Sequence, residues 1–122
     1  MLDAALIATL DFGDGNACTP EEYLFLAALV RLTAPRSIVE IGTSTGIGTL
    51  VMAAALLDTA AADTVRLTTI DLPLGRTTFG AGLARNRAAV EPLLPAIAAV
   101  IDWRLGESHT RTWAERSSSP SI

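Results

Sequence analysis

The chain has 122 residues, half of them hydrophobic, with 13 acidic against 9 basic side chains and a net charge of −4. This describes one acidic domain, apolar enough to bury a core (mean hydropathy +0.41) and without the basic blocks that a nucleic-acid backbone attracts. All nine cations are arginine, which excludes a lysine-dependent P-loop and a Schiff-base lysine, while one Cys and one His exclude a disulfide framework and a cysteine-based zinc site.

Residues 1–10 are apolar, but Asp3 sits where a signal peptide carries positive charge, and no Lys or Arg precedes Arg31. A short helix packed on the domain is expected there, in a cytoplasmic protein. No apolar run reaches the roughly 18–20 residues of a membrane span. Residues 11–18 read as a loop. Asp11-Phe12-Gly13 has the form of the kinase metal tripeptide, with no other kinase element present. Cys18 has no neighbouring cation to activate it and is read as inert.

A helix starts at Thr19, where Pro20 suits the first helical position and Glu22 completes a capping box. Leu24, Leu26, Ala27, Leu29, Val30 and Leu32 give it a broad apolar face, and Pro35 ends it. Ser37–Ile41 fits a buried strand. Gly42–Gly48 is a turn, and a second helix runs from there through the alanine-rich stretch to Ala62. Val65–Ile70 reads as a second strand and residues 73–82 as a glycine-rich loop, a candidate lid. A third helix spans about 83–99, and Val100–Leu105 is a third strand. Trp103 and Trp113 are read as packing residues. Alternation of strands and helices predicts a parallel α/β sheet with right-handed crossovers.

Ligands of such sheets bind beyond the carboxyl ends of the strands. Three segments lie there: 40–48, 71–73 and 106–109. The first reads E-x-G-x-x-x-G-x-G, which is not the dinucleotide G-x-G-x-x-G. Gly42 and Gly46 permit close approach of a ligand, and the next helix turns its free N–H groups toward the turn. Glu40, in an apolar strand, needs a cationic or hydrogen-bonding partner. Asp71, at the second strand end, can accept both hydroxyls of a ribose, or serve only as a turn cap.

VEIGTSTGIGTL resembles the cofactor motif of class I S-adenosylmethionine-dependent methyltransferases, most closely the small-molecule O-methyltransferase branch. The resemblance implies a Rossmann-like parallel sheet with flanking helices, with S-adenosyl-L-methionine as cofactor and a small molecule as methyl acceptor. Gly42, Thr43, Ser44 and Gly46 would wrap the methionine part, and Glu40 would hold its amino end. Asp71 and Leu72 would meet the ribose. Glu107 and Ser108, which match the family's Gly-acid-small segment in type, would lie near the adenine; Glu107 stands where Asp is commoner. His109 could act as a base or sit at the surface, and no partner for it can be named.

The resemblance covers residues 19–109, after an N-terminal helix and loop (1–18) and before a serine-rich tail (110–122). It is the cofactor-binding half of the family's domain. Neither an acceptor pocket, a catalytic base nor a metal site can be assigned, and a fragment of a longer, by itself inactive, enzyme is expected. The implied neighbour of the first strand would then be absent, leaving an apolar edge open to self-association. The competing readings are a non-catalytic cofactor-binding module and a fragment of a dinucleotide-binding oxidoreductase.

Overall fold

The computed structural model describes residues 2–13, 18–71 and 78–106. In chain order these form α1 (Ala4–Ala8), α2 (Pro20–Thr33), β1 (Ser37–Ile41), α3 (Ile47–Leu57), a 3-10 turn (Ala62–Thr64), β2 (Arg66–Asp71), α4 (Thr78–Val90), α5 (Ile97–Val100) and β3 (Ile101–Leu105). The strands pair in parallel in the order β1-β2-β3, with Glu40 beside Thr69 and Thr69 beside Trp103. The Rossmann-like α/β expectation holds.

Local chemistry explains the first large helix. Thr19 Oγ1 accepts from the Glu22 N–H at 3.2 Å, and Glu22 Oε1 accepts from the Thr19 N–H at 2.8 Å. The capping box is therefore complete. The helix stops at Ala34, which takes a left-handed φ of 45° and donates its N–H to the Val30 carbonyl. Its buried stripe is Tyr23, Ala27 and Val30. Leu29 and Leu32, expected on the apolar face, are exposed.

The helix α3 is buried almost all round, as its sequence, apolar but for Thr49, leads one to expect. It packs on α2 and against β2, α4 and α5. Its alanines let these neighbours approach closely. Leu50, Leu56, Leu67, Val90, Ile97 and Val100 complete a core with no measurable exposure beyond 1%. From β1 to β3 both crossovers step the same way along the sheet, so right-handedness puts α3 and α4 on one face. Side-chain alternation agrees: Glu40, Thr69 and Trp103 share that face, where the Arg87 guanidinium of α4 stacks over Trp103 at 4.4 Å. Val39 and Ile41, on the opposite face, are 63% and 77% exposed.

Several boundaries differ from expectation. The second helix ends at Leu57 rather than Ala62. Asp71 is the last residue of β2, not the first residue after it. Residues 78–82, read as loop, open α4, which ends at Val90 before Pro92. The remaining part of the candidate lid lies outside the described residues. The segment 1–10 does form a short helix; Leu2, Ile7 and Leu10 are buried in the common core. No helix among the described residues is long and apolar enough to cross a membrane.

Candidate functional site

The three strand ends converge. Gly42 N–H donates to the Ile70 carbonyl at 2.7 Å, and Gly106 N–H donates to the Asp71 carbonyl at 2.7 Å. Gly42, Asp71 and Gly106 therefore stand side by side, as the sequence placed them. Glycine is needed here: φ is +97° at Gly42, +82° at Gly46 and +90° at Gly106. Ser44, with φ +54°, takes the left-handed conformation without being glycine, at a cost of about 1–2 kcal/mol.

Each glycine of the turn has its own reason. A Cβ at Gly46 would lie 2.3 Å from Leu83 Cδ1, so α4 and the turn touch there. A Cβ at Gly48 would lie 3.0 Å from Glu40 Oε2, so α3 leaves room for that carboxylate. A Cβ at Gly42 would meet nothing within 4 Å. Its space is open, as a ligand-approach position requires.

Glu40 finds hydroxyl partners rather than a cation. Its Oε1 accepts from Thr49 Oγ1 in a short hydrogen bond and from Thr69 Oγ1 at 2.7 Å. A hydroxyl has one hydrogen, so Thr69 must in turn accept from Thr43 Oγ1, 2.6 Å away. The chain Thr43→Thr69→Glu40←Thr49 ties turn, β1, β2 and α3 together. Oε2 accepts no hydrogen bond among the described residues. Burial pushes the Glu40 carboxyl above its ordinary value, the two threonine bonds oppose the rise, and the nearby Asp71 charge adds to it.

Asp71 reaches across from β2. Its Oδ2 accepts the Ser44 N–H at 2.8 Å, which holds the turn in its left-handed conformation. A cavity of about 260 Å³ opens over this turn, lined by Tyr23, Glu40, Gly42, Thr43, Ser44 and Gly48, among others. Six of the expected binding residues, Glu40, Gly42, Thr43, Ser44, Gly46 and Asp71, are thus gathered in one place. Leu72, Glu107 and Ser108, with His109, lie outside the described residues. No group of three or more His, Cys, Asp or Glu with metal-binding placement occurs among the described residues.

Sequence reasoning missed the far side of the turn. Asn86, on α4 and 1% exposed, donates through Nδ2 to the carbonyls of Thr45 and Asp11, both at 2.9 Å, and accepts the Asp11 N–H at 2.7 Å. Thr43, Thr45, Thr49 and Thr69 are also buried. Thr43, Thr45 and Thr49 lie within the glycine motif and are legible there; Thr69 on β2 and a single helical asparagine are not.

No protein-family model and no curated protein sequence matches the chain. Solved structures do. A protein described as an O-methyltransferase from Klebsiella pneumoniae superposes over 89% of this chain with a TM-score of 0.59 and 25% identity. An O-methyltransferase of tomaymycin synthesis from Streptomyces achromogenes, solved with SAM, matches 87% of it with a TM-score of 0.58 and 24% identity. An O-methyltransferase from Bacillus cereus, solved with SAH, matches 78% with a TM-score of 0.57 and 24% identity. The chain spans only 42%, 41% and 37% of those three proteins. With its parallel sheet, its glycine turn and these neighbours, the chain has the class I S-adenosylmethionine-dependent O-methyltransferase-like fold.

Proposed function

We propose that this chain forms the S-adenosylmethionine-binding part of a methyltransferase that acts on a small-molecule acceptor. One observation carries the reading: a half-buried carboxylate, Glu40, is held by two threonine hydroxyls beside the open space over Gly42, with Oε2 left for a cationic donor. An α-ammonium group fits that donor in charge and size. The cofactor, when bound, supplies a sulfonium methyl that an acceptor oxygen can take. The residues of this chain bind and orient. Glu40 holds the amino end, the turn from Gly42 to Gly46 lies along the methionine part, and the Asp71 carboxylate accepts ribose hydroxyls while bracing Ser44. Leu72, Glu107 and Ser108 are assigned to the ribose and adenine side by the motif alone.

The dinucleotide alternative has no support in the turn, which lacks G-x-G-x-x-G, nor in the solved neighbours. Acceptor recognition and turnover are assigned to the whole enzyme rather than to these residues. The exposed Val39 and Ile41 on β1, an edge strand among the described residues, favour self-association of the chain in isolation.

Calorimetry with S-adenosylhomocysteine and with NAD tests the reading. Saturable binding of the first and none of the second is expected. Preference for NAD would sink it.

A further inference from the structure

We infer that Asn86 is a positioning residue for the cofactor turn: it locks the peptide plane between Thr45 and Gly46 by joining the turn to α4 and to the N-terminal loop. The inference rests on the cofactor reading above and extends it to residues outside the motif.

The turn is held plane by plane. The peptide between Thr43 and Ser44 is anchored at both ends, because the Thr43 carbonyl accepts the Gly46 N–H at 2.9 Å and the Ser44 N–H goes to Asp71. The peptide between Thr45 and Gly46 is anchored at both ends too. Its N–H is the one given to Thr43, and its carbonyl accepts from Asn86 Nδ2. Residues with positive φ flank these planes, a strained backbone that persists only where its surroundings hold it. Asn86 supplies the anchor that no group within the motif can supply.

The side chain suits the task and no close analogue does. Its Oδ1 and one Nδ2 hydrogen pair with the N–H and C=O of Asp11, as a neighbouring strand would. The other Nδ2 hydrogen goes to Thr45. Both Nδ2 hydrogens and one lone pair of Oδ1 are used, and the donor Asp11 N–H fixes which end of the amide is oxygen. Aspartate would turn an acceptor toward two carbonyls. Glutamine would carry an extra methylene into a site buried to 1%.

The surroundings are cut to this junction. Cβ atoms at Gly13 and Gly82 would each lie 3.1 Å from the Thr45 methyl. Phe12 packs its ring 6.2 Å from that of Tyr23, which lines the cavity. Arg85 pairs with the Asp11 carboxylate from the next position on α4. The loop 11–13 is thus a wedge between α4, α2 and the turn, and Asn86 is its buried pin.

The test compares three variants of the full chain under conditions where circular dichroism shows each folded. Asn86→Asp removes the two donations. Gly82→Ala crowds the same junction from α4, at a helical position where alanine is otherwise favoured. Val100→Ala trims the core at the end of α5, away from the turn. Two quantities are read: hydrogen exchange of the Ser44 and Gly46 amides, neither of which bonds Asn86, and the dissociation constant for S-adenosylhomocysteine.

Asn86→Asp should speed exchange at both amides at least tenfold and weaken binding at least tenfold. Gly82→Ala should do the same more mildly, about threefold, without lowering the melting temperature. Val100→Ala should lower the melting temperature while leaving exchange and affinity within twofold. Unchanged exchange in Asn86→Asp and Gly82→Ala, or equal losses in Val100→Ala, would overturn the inference. If the parent chain does not bind S-adenosylhomocysteine, the cofactor reading fails and the positioning role for that ligand fails with it. The exchange rates still decide separately whether Asn86 holds the turn.

Discussion

Gly42 and Gly46 stand four residues apart in one turn, yet their replacement by alanine should fail in different ways. Both have left-handed φ, +97° and +82°, so either alanine costs about 1–2 kcal/mol in backbone strain. At Gly46 a second cost follows. The new methyl would lie 2.3 Å from Leu83 Cδ1, and Leu83 is 5% exposed, so it cannot swing into solvent. Overpacking of that kind adds about 1–3 kcal/mol. The sum, roughly 2–5 kcal/mol, is a large part of the roughly 5–15 kcal/mol that holds a domain of this size together. At Gly42 nothing lies within 4 Å, so only the strain remains. Its methyl instead occupies the space over the turn that the proposed ligand needs.

Gly42→Ala should therefore lower stability by about 1–2 kcal/mol, and weaken S-adenosylhomocysteine binding by more than tenfold. Gly46→Ala should lose clearly more stability. Urea denaturation and titration calorimetry on the same samples read both. Equal stability losses would refute the steric argument at Leu83. Parent-like affinity in Gly42→Ala would refute the placement of the ligand.

Three further outcomes follow from the same geometry. Because burial raises the Glu40 carboxyl above its ordinary value of 4.5, the folded state holds more protons than the unfolded one between that value and the raised one. Stability should then fall as pH rises through this window; Glu40→Gln should flatten that slope in pH-dependent melting, yet lose about 1.5–3 kcal/mol of cofactor affinity through the missing charge-assisted bond. Asp71→Asn keeps an acceptor for the Ser44 N–H, so calorimetry should show affinity reduced by about 1–3 kcal/mol with melting little changed. Sedimentation velocity should find the isolated chain associated and Val39→Lys shifted toward monomer; a parent chain that is already monomeric would remove the proposed sheet contact.

What could be read from the sequence was what depends on near neighbours. The capping box at Thr19 needs only Glu22, and Glu40 stands out because its own strand is apolar. Its need for a hydrogen-bonding partner was legible, while the identity of the partners was split: Thr49 lies within the motif, Thr69 on the next strand. Elements set by distant contacts were misread. Residues 78–82 looked like loop because Gly80 and Gly82 weaken a helix, but Gly82 is small because Thr45 and Asp11 press against it. Leu29 and Leu32 looked like core because they are leucines, but Tyr23, Ala27 and Val30 face α3 and leave them outside. Asn86 carried no local signal, since its partners lie 75 and 41 positions away in the chain.

The violations of local rules converge on one place, and this supports the site independently of any similarity. Among the described residues the buried polar side chains are Thr43, Thr45, Thr49, Thr69 and Asn86, and each belongs to the turn or touches what holds it. The other buried residues described are apolar. Of the six positive φ angles among the described residues, those of Gly42, Ser44, Gly46 and Gly106 border the convergent strand ends; Gly13 belongs to the loop pinned there, and Ala34 marks an ordinary helix end. A chain stabilised only by packing has no reason to gather hydroxyls, strained backbone and a desolvated carboxylate around one opening. Two hydroxyls occupy one oxygen of Glu40 and, on the reading proposed above, leave the other for a ligand cation. On that reading, binding rather than stability accounts for the arrangement.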